Sequence, residues 1–288
     1  MEEIGRLMYT ATNVAKAAGK FLRQSFGTAV DWTETSAHDV KVRTDVVTQE
    51  LIVRGILKEY PDHRILGEEG MAGDPDGEIE WVVDPLDGTL NFAYGIPHFA
   101  VSIAARVTSG RFLLGVVYDP IREEMFTVME GSEAFLNGEA IHASRRQGLE
   151  EAVCIVGFAR SPEGMKKGLE WLHYYAPRVR KIRLTGSAAL DLAYVAAGRV
   201  DAYLEAEIRL WDIAAGSQLV LAAGGKLRLL PLDWEKHLFS VEATNGAIPF
   251  PKGPIANQGE TAPVDLGRGR TAGQILGSLL ASPKSKDR

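Results

Sequence analysis

Residues 84–92 place two carboxylates three positions apart at the end of an apolar segment. The string reads Asp-Pro-Leu-Asp-Gly-Thr-Leu-Asn-Phe and follows directly on Trp-Val-Val. Where a strand turns into a helix, Asp84 and Asp87 can point at one spot, and Gly88 lets the backbone come close. The amides of Gly88 and Thr89 can then face an anion at the helix start. Because carboxylates bind Mg²⁺ and helix amides bind phosphate, the string predicts a site for both.

Three other acidic positions are candidates for the same site, although each also has a plain structural interpretation. Asp212 stands in Leu-Trp-Asp-Ile-Ala-Ala-Gly, which by itself describes an N-capped helix of small residues. Glu68 lies in Leu-Gly-Glu-Glu-Gly, which fits a solvated turn equally well. Asp45 follows Thr44 and lies 23 residues before Glu68, and a helix N-cap is the alternative there. Each position taken alone therefore leaves its role open.

The elements that must position these acids follow from the spacing of apolar residues. Steps of three and four residues predict helices over 3–26 and about 46–60. The polar segment from Asp31 to Lys41 between them is predicted to be a mobile loop. Apolar runs broken by turn formers predict an antiparallel meander of three strands, at 99–107, 112–119 and 124–129.

A polar hinge near residues 144–150 precedes a second set of elements. They are predicted as a strand at 152–158, a helix at 162–176, an extended segment at 179–184, a helix at 187–197, a strand at 200–205 and a helix at 212–224. Strands and helices mix without strict βαβ alternation, which favours an α+β sandwich over a doubly wound sheet.

We therefore predict three parts of the chain. An N-terminal α+β lobe, 1–145, carries most of the acidic candidates, and a C-terminal α/β lobe, 146–250, completes the site. The Pro-, Gly- and Gln-rich remainder, 251–288, is predicted to be a loop-rich tail, in which the apolar residues at 275–280 form a short helix.

Composition limits the function classes. The 288 residues are 45% hydrophobic and 24% charged, which is ordinary for a folded protein, and the net charge of −6 argues against a nucleic-acid partner. The single cysteine, Cys154, lies in an apolar run, so we expect it in the core and in a reducing compartment. The acidic N-terminus does not resemble a signal peptide, and no apolar run approaches the ~18 residues of a membrane span. We therefore expect a cytoplasmic protein without a membrane partner.

Taken together, these strings resemble the inositol monophosphatase family over roughly residues 5 to 250. Residues 84–92 look like the first signature of that family, 210–216 like the second, and 66–70 like its Gly-Glu-Glu turn. The resemblance implies a five-layered αβαβα sandwich with the site in the cleft between lobes, and commonly a homodimer. It also implies Mg²⁺-dependent hydrolysis of a small phosphorylated polyol or sugar, with inositol-1-phosphate as the leading substrate.

The resemblance also implies a set of metal ligands. On the family's pattern, Glu68, Asp84 and the backbone carbonyl of Leu86 hold one Mg²⁺. A second ion is held by Asp84, Asp87 and Asp212, and a third, weaker ion shares Glu68. Two or three Mg²⁺ ions are therefore expected.

Catalytic roles are implied in the same way. A metal-bound water would be oriented or deprotonated by Thr89 with Asp45 behind it, while Glu68 acts through the metal. The amides of Gly88 and Thr89 would hold the phosphate oxygens. No covalent phosphoenzyme is expected.

The substrate contacts implied by the resemblance lie further along the chain. In the family, the backbone of Gly186, Ser187 and Ala188 and the carboxylate of Glu205 bind the polyol hydroxyls, although Glu205 alone also fits an exposed acid at a strand end. Arg209 could reach a second phosphate on the substrate, and a surface salt bridge is the equal alternative.

Other functions stay open at this stage. Within the same chemistry they are fructose-1,6-bisphosphatase, a 3′-phosphoadenosine phosphatase, and a histidinol or NADP phosphatase, and the Gly-Ser-Ala segment with Glu205 favours the polyol enzyme. A regulatory scaffold would be expected to have lost the acidic metal ligands, but Glu68, Asp84, Asp87 and Asp212 are all present. A nucleotide-binding module would need a Gly-x-x-x-x-Gly-Lys-Ser/Thr loop, which the sequence lacks.

Overall fold

The fold is given by a computed structural model. It describes residues 2–28, 32–36, 39–159, 161–250, 274 and 277–278, with the backbone alone for 32–36 and 39–42. The predicted helix at 275–280 lies largely outside the described residues.

Six α-helices are present in the described part of the chain. They are α1 (Glu2–Ser25), α2 (Arg43–Glu59), α3 (Thr89–Ala93), α4 (Pro162–Tyr175), α5 (Ala188–Ala196) and α6 (Leu210–Ala222). The two longest confirm the predicted amphipathic pattern: α1 buries one stripe of residues at steps of three and four, namely Leu7, Ala11, Val14, Ala15, Ala18 and Leu22. Helix α4 begins where its pattern requires, because the Ser161 side chain accepts a hydrogen bond from the Gly164 amide at 2.9 Å.

The described strands are fifteen in number. The first nine are β1 (Trp32–Ser36), β2 (Asp39–Val42), β3 (Arg64–Gly67), β4 (Gly70–Gly73), β5 (Ile79–Asp87), β6 (Ala100–Val107), β7 (Phe112–Asp119), β8 (Glu124–Met129) and β9 (Ala134–Leu136). The other six are β10 (Glu139–Ile141), β11 (Val153–Val156), β12 (Lys181–Arg183), β13 (Ala202–Arg209), β14 (Lys226–Asp233) and β15 (Leu238–Thr244). Strands β6, β7 and β8 pair antiparallel, which confirms the predicted meander.

The strands form two large sheets and one hairpin. The first sheet has eight strands in the order β10-β9-β8-β7-β6-β5-β3-β4, and the second has five in the order β12-β11-β13-β15-β14. Helices α1 and α2 pack on the outer face of the first sheet, α5 and α6 lie between the sheets, and α4 covers the outer face of the second. This is the predicted five-layered αβαβα sandwich, whereas the predicted boundaries of the two lobes stay a prediction.

Two local predictions were wrong. The segment from Asp31 to Lys41 was predicted to be a mobile loop, but its described backbone forms the antiparallel hairpin of β1 and β2. Most residues at 32–42 are polar, and the apolar alternation of Val40-Lys-Val42 is too short to predict a strand pair. The second helix begins at Arg43 rather than near Val46, which places Asp45 inside it.

Small residues let α6 approach the first sheet closely. A Cβ atom added to Gly115 on β7 would lie 3.0 Å from both the Cα and the carbonyl oxygen of Ala215 on α6. The side chain of Gln218 on the same helix donates a hydrogen bond to the Leu114 carbonyl at 2.9 Å. The distance between the helix and the sheet is therefore set by backbone contact.

Cys154 is fully buried on β11, as its apolar neighbours predict. Burial raises the pKa of its thiol to about 12. We expect the native protein at pH 8 to react with a thiol-specific disulfide reagent at least about a hundredfold more slowly than the protein unfolded in urea, because only the thiolate is the nucleophile. A single thiol that reacts at equal rates with and without urea would contradict this burial.

None of the helices in the described residues is long and apolar enough to cross a membrane.

Candidate metal and phosphate site

Three aspartates converge where the first sheet meets the central helices. Asp84 and Asp87 lie at the carboxyl end of β5, and Asp212 is the third residue of α6. One carboxylate oxygen from each lies within 4.8 Å of the other two. Asp84 is 1% exposed and Asp87 is 7% exposed, so the charges are held away from water.

The electrostatics of this cluster favour a bound cation. Burial, followed by the nearby charges of Glu68, Asp212 and Asp87, raises the pKa of Asp84 well above its usual range. Burial also raises the pKa of Asp87 to about 7, although hydrogen bonds from Ser187 and the Ala189 amide lower it. A divalent cation would remove this repulsion, and carboxylate oxygens are the donor set that Mg²⁺ prefers. The residues present therefore fit the expected metal.

The turn after Asp84 is fixed by short local hydrogen bonds. The Leu86 amide donates to Asp84 Oδ1 at 2.9 Å, and the Thr89 hydroxyl donates to the Leu86 carbonyl at 3.0 Å. Gly88 adopts a φ of 93° at the start of α3, and a Cβ there would lie 3.0 Å from the His98 carbonyl oxygen. Glycine is therefore required at this position, as its close backbone approach predicted.

Asp87 joins the first sheet to the start of α5. Its carboxylate accepts hydrogen bonds from the Ser187 hydroxyl, from the Ala188 amide at 3.2 Å and from the Ala189 amide at 2.8 Å. Ser187 and Ala188, both expected to contact substrate, are thus brought directly to a predicted metal ligand. Gly186, just before them, has a φ of 85°.

Asp212 is not the N-cap that its string suggests. Helix α6 begins at Leu210, so Asp212 occupies the third helical position and accepts a hydrogen bond from the Arg209 amide at 3.0 Å. The guanidinium of Arg209 donates to the Lys236 carbonyl and lies over the Trp211 ring, 6.0 Å from its centroid. The predicted role of Arg209 toward a second phosphate stays a prediction.

Glu68 lies outside the group of three but close to it. It occupies the exposed turn between β3 and β4, its amide donates to the Val83 carbonyl at 3.1 Å, and its charge acts on Asp84. The turn is held by Gln49 of α2, whose Oε1 accepts from the Glu69 amide at 2.9 Å and whose Nε2 donates to the Gly70 carbonyl at 3.1 Å. No pattern in the sequence predicts this contact, because Gln49 is one polar residue in a helix.

We expect Gln49→Ala to weaken Mg²⁺ binding by roughly tenfold, since a group that orients a metal ligand typically contributes 10–100-fold in affinity. The variant frees the turn that carries Glu68 without removing a carboxylate. Isothermal titration with Mg²⁺ measures the effect, and Gln24→Ala, on the exposed side of α1, is the control. Equal affinity in both variants would exclude this role for Gln49.

Asp45 is the third residue of α2 and is 3% exposed, so it is not the N-cap of that helix. A carboxylate buried at this position needs a polar environment, which is compatible with its predicted place behind Thr89. That role stays a prediction.

Glu205 lies on β13 and is partly buried, rather than being the exposed acid at a strand end that the alternative predicted. It accepts a hydrogen bond from the hydroxyl of Tyr203, which is fully buried. Burial raises the pKa of Glu205 to about 8, and the charges of Asp212 and Asp191 add to this. Glu205 is therefore electrostatically linked to the aspartate cluster.

Two residues that the sequence did not single out hold the site together. The Asn91 amide donates to the His98 and Thr185 carbonyls, both at 2.8 Å, and so ties α3 to the segment before α5. The buried carboxylate of Asp191 accepts from the Thr185 hydroxyl at 2.7 and 2.6 Å. The sequence contains a weak indication of both roles. Asn91 belongs to the string at 84–92, and Asp191 is the single acidic residue in the otherwise apolar helix α5.

Comparison with known proteins agrees with this geometry. The model of the inositol monophosphatase family matches residues 5–249. The Nus factor SuhB of Escherichia coli (strain K12) is 41% identical over 229 residues, covering 76% of this chain and 83% of that protein. The solved structure of the Thermotoga maritima IMPase has a TM-score of 0.74 at 35% identity and covers 84% of this chain and 93% of its own.

A structure of the Staphylococcus aureus IMPase-II with inositol monophosphate bound has a TM-score of 0.69 at 28% identity, covering 84% of this chain and 90% of its own. Family model, sequence relatives and solved structures thus agree, and the residues matched by the family model include the acidic cluster. The chain belongs to the inositol monophosphatase family.

Proposed function

We propose that this protein is a Mg²⁺-dependent phosphatase whose substrate is inositol-1-phosphate. The observation that carries the proposal is the group of Asp84, Asp87 and Asp212, the first two of them buried, with one oxygen of each within 4.8 Å of the others. Three acids so close together, two of them out of water, are costly without a cation, so their convergence supports a metal site. Family membership supports phosphate ester hydrolysis as the reaction.

The proposed ligands are Glu68, Asp84, the Leu86 carbonyl, Asp87 and Asp212. Bound Mg²⁺ would supply charge neutralisation on the phosphoryl group and a water of lowered pKa. The chain itself supplies the shape of the site: Asp84 is fixed by the Leu86 amide and Asp87 by three donors at the start of α5. Carboxylates held in this way need little rearrangement when the site fills.

The remaining residues are proposed to bind and orient the reactants. The Gly88 and Thr89 amides would face the phosphate oxygens, and the Thr89 hydroxyl would orient the attacking water or take its proton while passing its own proton to the carboxylate of Asp45 behind it. The Gly186–Ala188 backbone and Glu205 bind hydroxyls of the polyol. Because these groups lie on separate elements, substrate is held from two sides at once.

Inositol-1-phosphate is favoured by two observations. The Staphylococcus aureus IMPase-II, a structural relative, has been solved with inositol monophosphate bound. In this chain the partly buried Glu205 offers a hydroxyl acceptor near the acidic cluster. A bisphosphate such as fructose 1,6-bisphosphate would instead need Arg209 to leave the Lys236 carbonyl.

A second candidate function is a regulatory scaffold, because the Escherichia coli relative is named a Nus factor. A scaffold that acts by binding another macromolecule does not need metal chemistry. Cells whose own copy carries Asp87→Asn separate the two candidates: a scaffold tolerates the change, and a phosphatase does not.

We also propose that the protein acts as a homodimer in the cytoplasm. Large apolar side chains are exposed at Leu90, Tyr94 and Ile96, on and just after α3, and at Leu184, before α5, with exposed fractions of 48–67%. The hydrogen bond from Asn91 to the Thr185 carbonyl brings the two segments together, and exposed apolar side chains that lie together are typical of an interaction surface. Sedimentation analysis at several concentrations tests the oligomeric state.

The experiment for the activity is phosphate release from inositol-1-phosphate, fructose 1,6-bisphosphate, 3′-phosphoadenosine 5′-phosphate and NADP, with Mg²⁺ or with EDTA. We expect Mg²⁺-dependent release that is greatest with inositol-1-phosphate and is lost in Asp87→Asn. Asp233→Asn, which changes a surface acid paired with Lys236, is the matched control and should keep full activity. Absence of release from all four substrates would refute the phosphatase and favour the scaffold.

A further inference from the structure

We infer that Tyr203 and Gly157 are positioning residues that fix the Glu205 carboxylate, so that recognition of the substrate's hydroxyl groups depends on both. The inference rests on the proposed function and deepens it. Neither residue is expected to contact the reacting atoms.

Tyr203 reaches Glu205 from inside the central core. The two residues are two positions apart on β13 and therefore lie on the same face of the strand. That face is directed at the layer of α5 and α6, because Tyr203 packs in the same core cluster as those helices, while Ala202, Leu204 and Ala206 pack in the cluster beneath α4. The ring is fully buried, and its hydroxyl donates to Glu205 Oε2. Tyr203 can hardly move, so it fixes the oxygen that it contacts.

Gly157 holds the carboxylate from the neighbouring strand. It follows β11 directly, and its amide donates to the Leu204 carbonyl at 2.7 Å, next to Glu205 in the chain. A Cβ at this position would lie 2.1 Å from Glu205 Oε2 and 2.5 Å from Glu205 Cδ. The carboxylate thus occupies the space that any side chain at 157 would fill.

The backbone of Glu205 is also fixed. It pairs with Val241 of β15, and its carbonyl accepts from the Ser240 hydroxyl at 3.2 Å. The ladder between β13 and β15 shifts register just after Glu205. The Glu205 carboxylate therefore has one main position. It is set by the pairing of β13 on both edges, by the buried Tyr203 hydroxyl and by the absence of a side chain at Gly157.

Fixing a glutamate before substrate arrives matters because a free glutamate side chain has several rotatable bonds. Ordering such a side chain on binding opposes affinity, so a carboxylate that is already ordered binds a hydroxyl more tightly. The effect should appear with substrates that offer hydroxyls to Glu205 and not with those that lack them. It should also appear mainly in KM, because the reacting groups are untouched.

The test uses two substrates and four variants. Inositol-1-phosphate carries a ring of hydroxyls, whereas 4-nitrophenyl phosphate carries none. The variants are Tyr203→Phe, Gly157→Ala, Glu205→Gln and the double variant of Tyr203→Phe with Glu205→Gln. Tyr175→Phe is the matched control, because it removes a hydroxyl that is equally buried in the same half of the chain and has no hydrogen-bond partner among the described residues.

We expect Tyr203→Phe and Gly157→Ala each to raise KM for inositol-1-phosphate about five- to tenfold, with kcat within about twofold of the wild type. For 4-nitrophenyl phosphate, kcat/KM should not change. In the Glu205→Gln background, Tyr203→Phe should cause a smaller loss than in the wild type, because the carboxylate that the hydroxyl positions has already been replaced by an amide. Tyr175→Phe should behave as the wild type with both substrates.

Equal losses on both substrates would overturn the inference, since they would show a general structural role, and so would independent, additive effects of Tyr203→Phe and Glu205→Gln. Gly157→Ala keeps the test decisive if Tyr203→Phe folds poorly, because the nearest atoms that the added methyl group meets belong to the Glu205 side chain and not to the backbone. A wild-type protein that releases no phosphate from either substrate would refute the proposed function and the inference with it. An active wild type whose variants keep its KM would refute the inference alone.

Discussion

Asp84→Asn is expected to lower the rate of Mg²⁺-dependent phosphate release by at least about a hundredfold. In the absence of metal, the same change is expected to make the protein more stable. The loss of activity follows because the change removes a proposed ligand, and even groups behind a ligand contribute 10–100-fold. The gain in stability follows from burial. Asp84 is 1% exposed, and its raised pKa shows that the ionised form is unfavourable in the folded state without a cation.

The sign of the pH dependence follows from the same shift. Because the folded pKa of Asp84 lies above the unfolded value of about 3.9, the metal-free wild type should lose stability as the pH rises above about 4. Asparagine cannot ionise and keeps an oxygen for the Leu86 amide, so the variant should show a flatter pH profile. A gain of about 1 kcal/mol at pH 7 corresponds to a Tm higher by about 2–4 °C.

Thermal denaturation in EDTA and in Mg²⁺ measures both effects. Mg²⁺ at a hundredfold excess over its Kd should stabilise the wild type by about 2.7 kcal/mol and the variant by much less. Asp233→Asn should match the wild type in both buffers. A variant that is less stable than the wild type in EDTA would contradict the view that Asp84, Asp87 and Asp212 repel one another.

Asp201→Ala is expected to lower the free energy of unfolding by about 2–4 kcal/mol, although Asp201 lies outside the site. The carboxylate is fully buried and accepts hydrogen bonds from Arg146 Nε at 2.8 Å and from the Val153 amide at 2.8 Å, as well as from the Ser144 hydroxyl. Removing it leaves these donors without their acceptor. The Arg146 side chain is 38% exposed and can still reach water, which limits the loss.

Urea denaturation measures this effect, and Asp233→Ala is the control, with an expected change within about 0.5 kcal/mol. The segment at 144–150, predicted from its polarity to be a hinge, is in this way fastened to the start of β13. A midpoint unchanged in Asp201→Ala would mean that the segment gains its order from other contacts.

The sequence predicted the elements that depend on local patterns. The stripe of α1 and the meander of β6 to β8 have clear periodicities, and both are confirmed. The convergence of Asp84, Asp87 and Asp212 depends on residues more than a hundred positions apart, so it was available only through the resemblance to a family.

Contacts that depend on register between distant segments could not be predicted. Gly157 lies beside Glu205 because β11 runs parallel to β13 with Val156 opposite Leu204, and no local pattern encodes that register. Similarly, Gln49 holds the turn of Glu68 across 20 residues of chain through one side chain. Such contacts follow from the packed fold, and a single sequence carries little trace of them.

The close approach of α6 to the first sheet has a consequence for ion choice. Asp212 lies one turn before Ala215, and a Cβ atom added at position 115 would lie 3.0 Å from the Cα atom of Ala215. The spacing between the carboxylates of the aspartate cluster thus depends on Gly115 and Ala215, two small residues that do not contact the ion. Since Mg²⁺ and Ca²⁺ differ chiefly in the bond lengths and ligand number they require, we expect the spacing of the carboxylates to affect discrimination between them. We expect Gly115→Ala to increase the distance between α6 and the first sheet. The preference between Mg²⁺ and Ca²⁺ would then change although every metal ligand is still present.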